Sequence, residues 1–159
     1  MCIRDSRHPL RRALLPAIAL ATLLTGCALP PQPARQVLST DRIYPAIGPY
    51  SQMVAHGGVV YLSGVLPLNA KGTATQGTTI EEQTRVVLDH IGEKLASQGL
   101  SHADVLMSTV YMKNLDDFAA MNRVYGEYFK SQPPARATVQ VARLPRDVLI
   151  EIAVIAGRR

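Results

Sequence analysis

"PPARATVQVARLPRDVLIEIAVIA", residues 133–156, decides how this chain folds. Two prolines stop whatever precedes them, and two β-rich runs follow, the first reading as a strand over 133–145. In the first run an extended backbone sends Ala137, Val139 and Val141 to one face and Arg136, Thr138 and Gln140 to the other. The aliphatic set is expected to face the core. The second run sends Val148, Ile150, Ile152 and Val154 one way and Leu149, Glu151, Ala153 and Ile155 the other, so both of its faces are largely apolar. A sheet with helices on one face only should alternate more strictly with polar residues. Something must therefore cover the second face, and another copy of the chain is the expected cover.

Upstream, the clearest helix spans 79–99. Thr79 and Glu82 fit a capping box, Ile80, Thr84, Val87, Leu88, Ile91 and Leu95 mark one face, and Gly99 suits the C-terminal end. Before it, "SQMVAHGGVVYLSGVLPL" holds two β-rich runs around Gly57-Gly58, a hairpin signal, and "NAKGTATQG" is a loop. After it, 105–112 reads as a strand. Asp116 is expected to cap a second helix running to about Lys130, with Phe118, Met121, Val124, Tyr125 and Tyr128/Phe129 as its buried stripe. The order is β-β-α-β-α-β-β, an α+β fold with two helices on one face of a sheet.

The N-terminal region reads differently. Arg4, Arg7, His8, Arg11 and Arg12 precede an apolar run over 13–24, shorter than the roughly 20 residues a spanning helix needs. Leu24-Thr25-Gly26-Cys27 follows, so 1–26 reads as a secretory signal with a small-residue cleavage site. The Cys directly after Gly26 resembles the bacterial lipobox, which implies lipidation of Cys27. An ordinary signal peptide with a chance cysteine is the simpler alternative. Residues 1–6, "MCIRDS", resemble a translated sequencing adapter and carry no function. Pro-rich 27–41 is expected to be a tether, and the folded domain to occupy 42–159. Removing 1–26 takes away four Arg and one Asp, so the net charge falls from +5 to +2 and leaves little electrostatic support for nucleic-acid binding. One cysteine remains, so no internal disulfide can form.

Several chemistries are excluded by pattern. His56, His90 and His102 are scattered with no HExxH or CxxC, so no metal site is expected; "LSGV" lacks the first glycine of a nucleophile elbow; no glycine run has phosphate-cradle spacing. Tyr50, Ser63-Gly64, Arg136, Thr138 and Glu151 remain. Arg136 offers a rigid fork of donors suited to a planar carboxylate. Glu151 stands among aliphatics, so burial should raise its pKa unless a cation is close, and such a carboxyl can pass protons near neutral pH. On physics alone, a structural ion pair between adjacent strands is an equal alternative.

"AIGPYSQ", "YLSG", "DFAAMNRVYGEYF" and "PARATVQVARLPRDVLIEIAVIA" resemble, in order, motifs of the RidA/YjgF family of small enamine/imine deaminases. The resemblance covers essentially 42–159. It implies a chorismate-mutase-like α+β subunit and a homotrimer whose sheets line a central barrel, with three clefts between neighbouring subunits. It also implies that Arg136 binds the substrate carboxylate, that Glu151 positions the attacking water, and that Tyr50, Ser63, Gly64, Ala137, Thr138 and Asn122 complete the pocket. Two departures stand out: Val65 where many relatives have Gln, which is expected to remove an amide near the pocket, and Thr138 where many have Cys.

The implied activity is cofactor-free hydrolysis of 2-imino acids of the 2-iminopropanoate and 2-iminobutanoate type to 2-keto acids and ammonia. The implied partners are this small substrate and further copies of the chain, without nucleic acid. The expected location is the bacterial envelope, facing the periplasm and tied to the membrane only by lipid on Cys27. Ala28, where some bacteria use Asp to retain lipoproteins in the inner membrane, leans toward the outer membrane. A trimer that binds small carboxylates or reactive intermediates without turnover is the alternative, and an endoribonuclease or translation inhibitor a lesser one.

Overall fold

The computed structural model describes residues 34–158; the signal segment, Cys27 and the first part of the expected tether lie outside them. Within them the chain forms β1 (Gln36–Leu38), β2 (Met53–His56), β3 (Val59–Val65), α1 (Ile80–Ala96), β4 (Val105–Met112), α2 (Phe118–Tyr128), β5 (Ala135–Gln140) and β6 (Ile150–Gly157). The six strands make one sheet in the order β1-β2-β3-β6-β4-β5, and the fold is α+β as expected. Strand β1 is a correction. It lies inside the stretch expected to be tether, where "QVLST" has no proline and pairs antiparallel with β2. The ordered domain therefore begins before residue 42.

Local chemistry explains the elements. Gly57 and Gly58 both take positive φ (58° and 79°) in the two-residue turn of the β2–β3 hairpin, a backbone that suits its twist. At the start of α1 the Thr79 hydroxyl accepts from Glu82 N–H while the Glu82 carboxylate accepts from Thr79 N–H, the full capping box. The second helix starts differently from expectation. A 3-10 turn, Leu115–Asp117, precedes α2, and the Asn114 side chain rather than Asp116 caps it, accepting from Asp116 N–H. Asn114 reaches this donor because its own extended backbone leaves the side chain over the first turn.

Strands β4 and β5 are parallel neighbours joined by the α2 crossover; every other pairing is antiparallel. Strand β6 inserts between β3 and β4. This places Ile150, Ile152, Val154 and Ala156 against the helices, where they pack with the α1 stripe, with Met121 and Tyr125 of α2, and with Phe129 just beyond its end. The opposite face of β6 carries Glu151, Ala153 and Ile155. No helix of the described residues covers that face, and Val37, Tyr61 and Val139 stand exposed on it.

The edge strand reverses the expected facing. Register pairs Arg136, Thr138 and Gln140 with Ser108, Val110 and Met112, all three of which are buried under the helices. Ala137 and Val139 pair with Thr109 and Tyr111 and face the open side, where Val139 is 43% exposed. Val141 lies beyond the strand and packs beside a second, smaller cluster of Ile43, Tyr44, Leu66, Leu68, Leu144 and Val148.

Lys94 is the anomaly of the core. It is 2% exposed, and its Nζ donates only to the Gln52 carbonyl at 3.4 Å. Burial lowers its pKa to about 8. The folded state thus resists the proton that the unfolded chain holds up to about pH 10, so stability gains with pH between these values and the full penalty applies below about pH 8. Lys94→Met should raise stability at pH 7 by on the order of 3 kcal/mol, with the gain shrinking toward pH 10. Denaturant melts of both proteins across this range check the sign; a variant no more stable at pH 7 would contradict it.

Candidate active site

Residues 45–50, rich in Pro and Gly, fold into a turn that presents Tyr50. Its amide donates to Gly48 O at 2.8 Å and its hydroxyl accepts from Ile47 N–H at 3.1 Å, so the ring is pinned at both ends. Beside it the β3–β6 ladder shifts register between Leu62 and Val65. An irregularity of this kind re-aims side chains, and here it frees Ser63 and Gly64 from the ladder with β6. Ser63 is held from behind, its amide donating to Gln52 O at 3.2 Å and its hydroxyl to Ser51 O at 2.6 Å.

Tyr50, Ser63, Gly64 and Glu151 then line one cleft of about 490 Å³ together with Ile47, Leu66 and Pro145. The last three were not among the sequence candidates. Leu66 N–H donates to the buried Tyr44 hydroxyl at 2.8 Å, and burial raises the Tyr44 pKa to about 12, so this group stays a neutral phenol. Pro145 is set by a turn in which Arg146 and Asp147 both adopt positive φ (57° and 56°), with the Asp147 carboxylate accepting from Lys113 Nζ at 2.9 Å. The strand expected over 133–145 ends at Gln140 instead, and nothing in the composition of "ARLPRD" says that its proline would face a cleft.

Glu151 is half-buried at the back of this cleft. No cation is in ion-pair range among the described residues, and burial holds its carboxyl above the ordinary carboxylate range. Only glycine at 64 permits its position: a methyl there would overlap Oε1, and the carboxyl carbon would stand 2.8 Å from it.

Arg136 does not join this group. Strand β4 separates β5 from β6, so the two residues are not on adjacent strands, and their side chains leave opposite faces of the sheet. The expected alternative of a structural ion pair between neighbouring strands is thereby removed within a protomer. The guanidinium carbon lies 4.6 Å from the Tyr125 ring centroid and 5.6 Å from that of Phe118. Thr138 follows on the same face, its Oγ1 buried without a hydrogen-bond partner among the described residues. Asn122 is half-buried on α2, one turn from both Phe118 and Tyr125. Ala137 faces the open side of the sheet. The candidates therefore form two half-sites, Tyr50–Ser63–Gly64–Glu151 and Arg136–Thr138–Asn122.

Val65 corrects another expectation. It is fully buried against the core opposite Ile152, so the departure at 65 alters packing behind the cleft rather than removing an amide from it.

A six-stranded α+β domain with a carboxyl-bearing cleft and a separate arginine edge defines a class of small, sheet-based proteins. The family model described as Endoribonuclease L-PSP matches residues 40–157, and the chain belongs to that family. It is 48% identical over 124 residues to a RutC family protein of Saccharolobus solfataricus, covering 78% of this chain and 98% of the relative. It is 39% identical over 122 residues to the chloroplastic Reactive Intermediate Deaminase A of Arabidopsis thaliana, covering 77% and 65%. Among solved structures, E. coli TdcF with bound serine superposes with a TM-score of 0.73 at 37% identity, covering 78% of this chain and 99% of that one. The chain shares the fold of these RidA/YjgF-type proteins.

Gly64→Ala should leave the fold intact, because the overlapping atom is the free end of a side chain, yet swing Glu151 out of the cleft. The expected result is a melting temperature within a few degrees of wild type, with the Glu151 pKa moving back down toward the ordinary carboxylate range as the carboxyl is exposed to water. Parallel thermal melts and NMR pH titrations check this pair of outcomes.

Proposed function

We propose that this protein hydrolyses reactive 2-imino acids to 2-keto acids and ammonia, as a homotrimer whose clefts are each completed by the Arg136 edge of a neighbouring copy. The observation that carries the reading is Glu151: a carboxyl of raised pKa, in a cleft, facing an apolar sheet surface and with no cation in ion-pair range among the described residues. Alone it is half of a machine, and Arg136 on the opposite face is a complementary half that its own Glu151 cannot use.

In this mechanism Arg136 binds the substrate carboxylate through two parallel N–H···O bonds. Glu151 takes a proton from water as the water oxygen bonds to the C=N carbon, and returns it to nitrogen to give a carbinolamine. Glu151 then takes the hydroxyl proton of that intermediate and delivers it to nitrogen as the C–N bond breaks and the C=O bond forms, leaving the keto acid and ammonia. Backbone groups at Ser63–Gly64 and Ala137–Thr138 orient water and imine, Asn122 stands near the arginine, and Tyr50 closes the pocket. An imine is already electrophilic, so positioning and one proton shuttle suffice. With the export signal read at the N-terminus, this activity belongs to the cell envelope.

A second reading, binding of small carboxylates without turnover, is favoured by the serine bound to TdcF. The endoribonuclease description of the family finds less support here: the chain after the expected cleavage carries a net charge of only +2.

Arg136→Ala should abolish release of ammonia from freshly generated 2-iminopropanoate while size-exclusion chromatography still shows a trimer; unchanged turnover sinks the assignment. Glu151 must be ionised to act as base, so the rate should fall as pH drops through its raised pKa. The acid limb of the pH–rate profile should lie above the ordinary glutamate value of about 4.3. A limb at or below that value would argue against Glu151 as the base.

A further inference from the structure

We infer that Tyr125 and Phe118 are positioning residues for Arg136, an aromatic shelf that aims its guanidinium at the substrate carboxylate. This rests on the reading of Arg136 as the carboxylate clamp. Arg136 stands on an edge strand, and no hydrogen bond or ion pair within the described protomer holds its head. What meets it is ring surface: Tyr125 at 4.6 Å and Phe118 at 5.6 Å from the guanidinium carbon. A guanidinium binds rings with its flat faces and anions with its N–H edge. Contact with the shelf therefore restrains the long side chain without using up the donors that a carboxylate needs.

The shelf is itself fixed. The Tyr125 hydroxyl and the Ser108 hydroxyl are 2.6 Å apart, and Ser108 is fully buried on β4, in register with Arg136. The Tyr125 ring also stacks on Phe129 with centroids 4.4 Å apart. The chain of contacts closes on itself: β4 holds Tyr125, Tyr125 holds Arg136, and Arg136 lies on the strand that β4 pairs. Phe118, two turns earlier on the same face of α2 and 39% exposed, extends the shelf outward.

A clamp that grips the carboxylate equally in ground and transition states affects KM rather than kcat. Tyr125→Leu should therefore raise KM for 2-iminopropanoate about tenfold, the scale of a lost cation–π contact at a partly dry site, with kcat within about twofold. Tyr125→Phe keeps the ring and should restore KM to within about threefold of wild type. Phe118→Leu, at a partly exposed position that the core does not need, should raise KM about threefold, and it decides the matter if Tyr125→Leu fails to fold. Binding of 2-oxobutanoate, followed by NMR titration of each variant, should weaken in the same order and does not depend on turnover. If Arg136→Ala leaves 2-oxobutanoate binding unchanged, the clamp reading itself falls. If Arg136→Ala abolishes binding while Tyr125→Leu and Phe118→Leu bind as wild type, the shelf inference alone is overturned. An equal loss in Tyr125→Phe and Tyr125→Leu also overturns it, because the hydroxyl and not the ring would then matter.

Discussion

Strand β6 carries branched aliphatic side chains on both faces and lies between β3 and β4, so each face of the sheet gathers apolar surface around it. Helices α1 and α2 bury Ile150, Ile152 and Val154 on one side. Ala153 and Ile155, with Val37, Tyr61 and Val139 from neighbouring strands, are left on the other. Leaving such surface in water forgoes roughly 25 cal/mol for every Å² that could be buried. Both helices of the described domain are already committed, which makes further copies of the chain the natural cover. Glu151 opens onto this same face, so whatever buries the apolar patch also closes the cleft. Assembly and catalysis would then share one surface.

The α2 crossover has an equally specific consequence. Because β4 and β5 are joined through α2 as parallel neighbours, β5 is sent to the sheet edge, away from β6. The register then turns Arg136 toward the helices, where Tyr125 and Phe118 receive it. Had the final two strands formed a hairpin, Arg136 and Glu151 could have met as a simple ion pair. The connection through Pro145–Asp147 instead carries the chain back across β4 to the middle of the sheet.

Legibility followed the range of the interactions. Helix α1, with its capping box and stripe, and strand β4 were readable because their signals are local: side-chain period, cap chemistry and β-branching. The facing of β5 was not, since alternation says that Arg136 and Val139 point apart but not which side is covered. That depends on a partner strand distant in sequence. Lys94 escaped notice for a related reason: it flanks the α1 stripe at a position that polar residues usually occupy, and only the packing of α1 over the sheet buries it. Within the site, motifs marked Tyr50, Ser63, Gly64 and Glu151, and the structure groups them in one cleft. Leu66 and Pro145 carry no chemical signal of their own, and their place in the wall comes from a register shift and a strained turn.

The division into two half-sites also bears on proton affinity. A guanidinium beside Glu151 would favour the ionised carboxylate and lower its pKa, leaving a weak base in a neutral pair. Here burial raises the Glu151 pKa, and Arg136, on the other face of the sheet and a strand away, does not offset it. If a neighbouring copy brings its own Arg136 to the cleft, the substrate carboxylate arrives with it as a counter-charge. The guanidinium is then spent on the substrate rather than on the base. On the proposed reading, opposite placement within a protomer, with closure between protomers, would reconcile two demands that a single chain could not meet on one face: a strongly held carboxylate and an unneutralised proton acceptor.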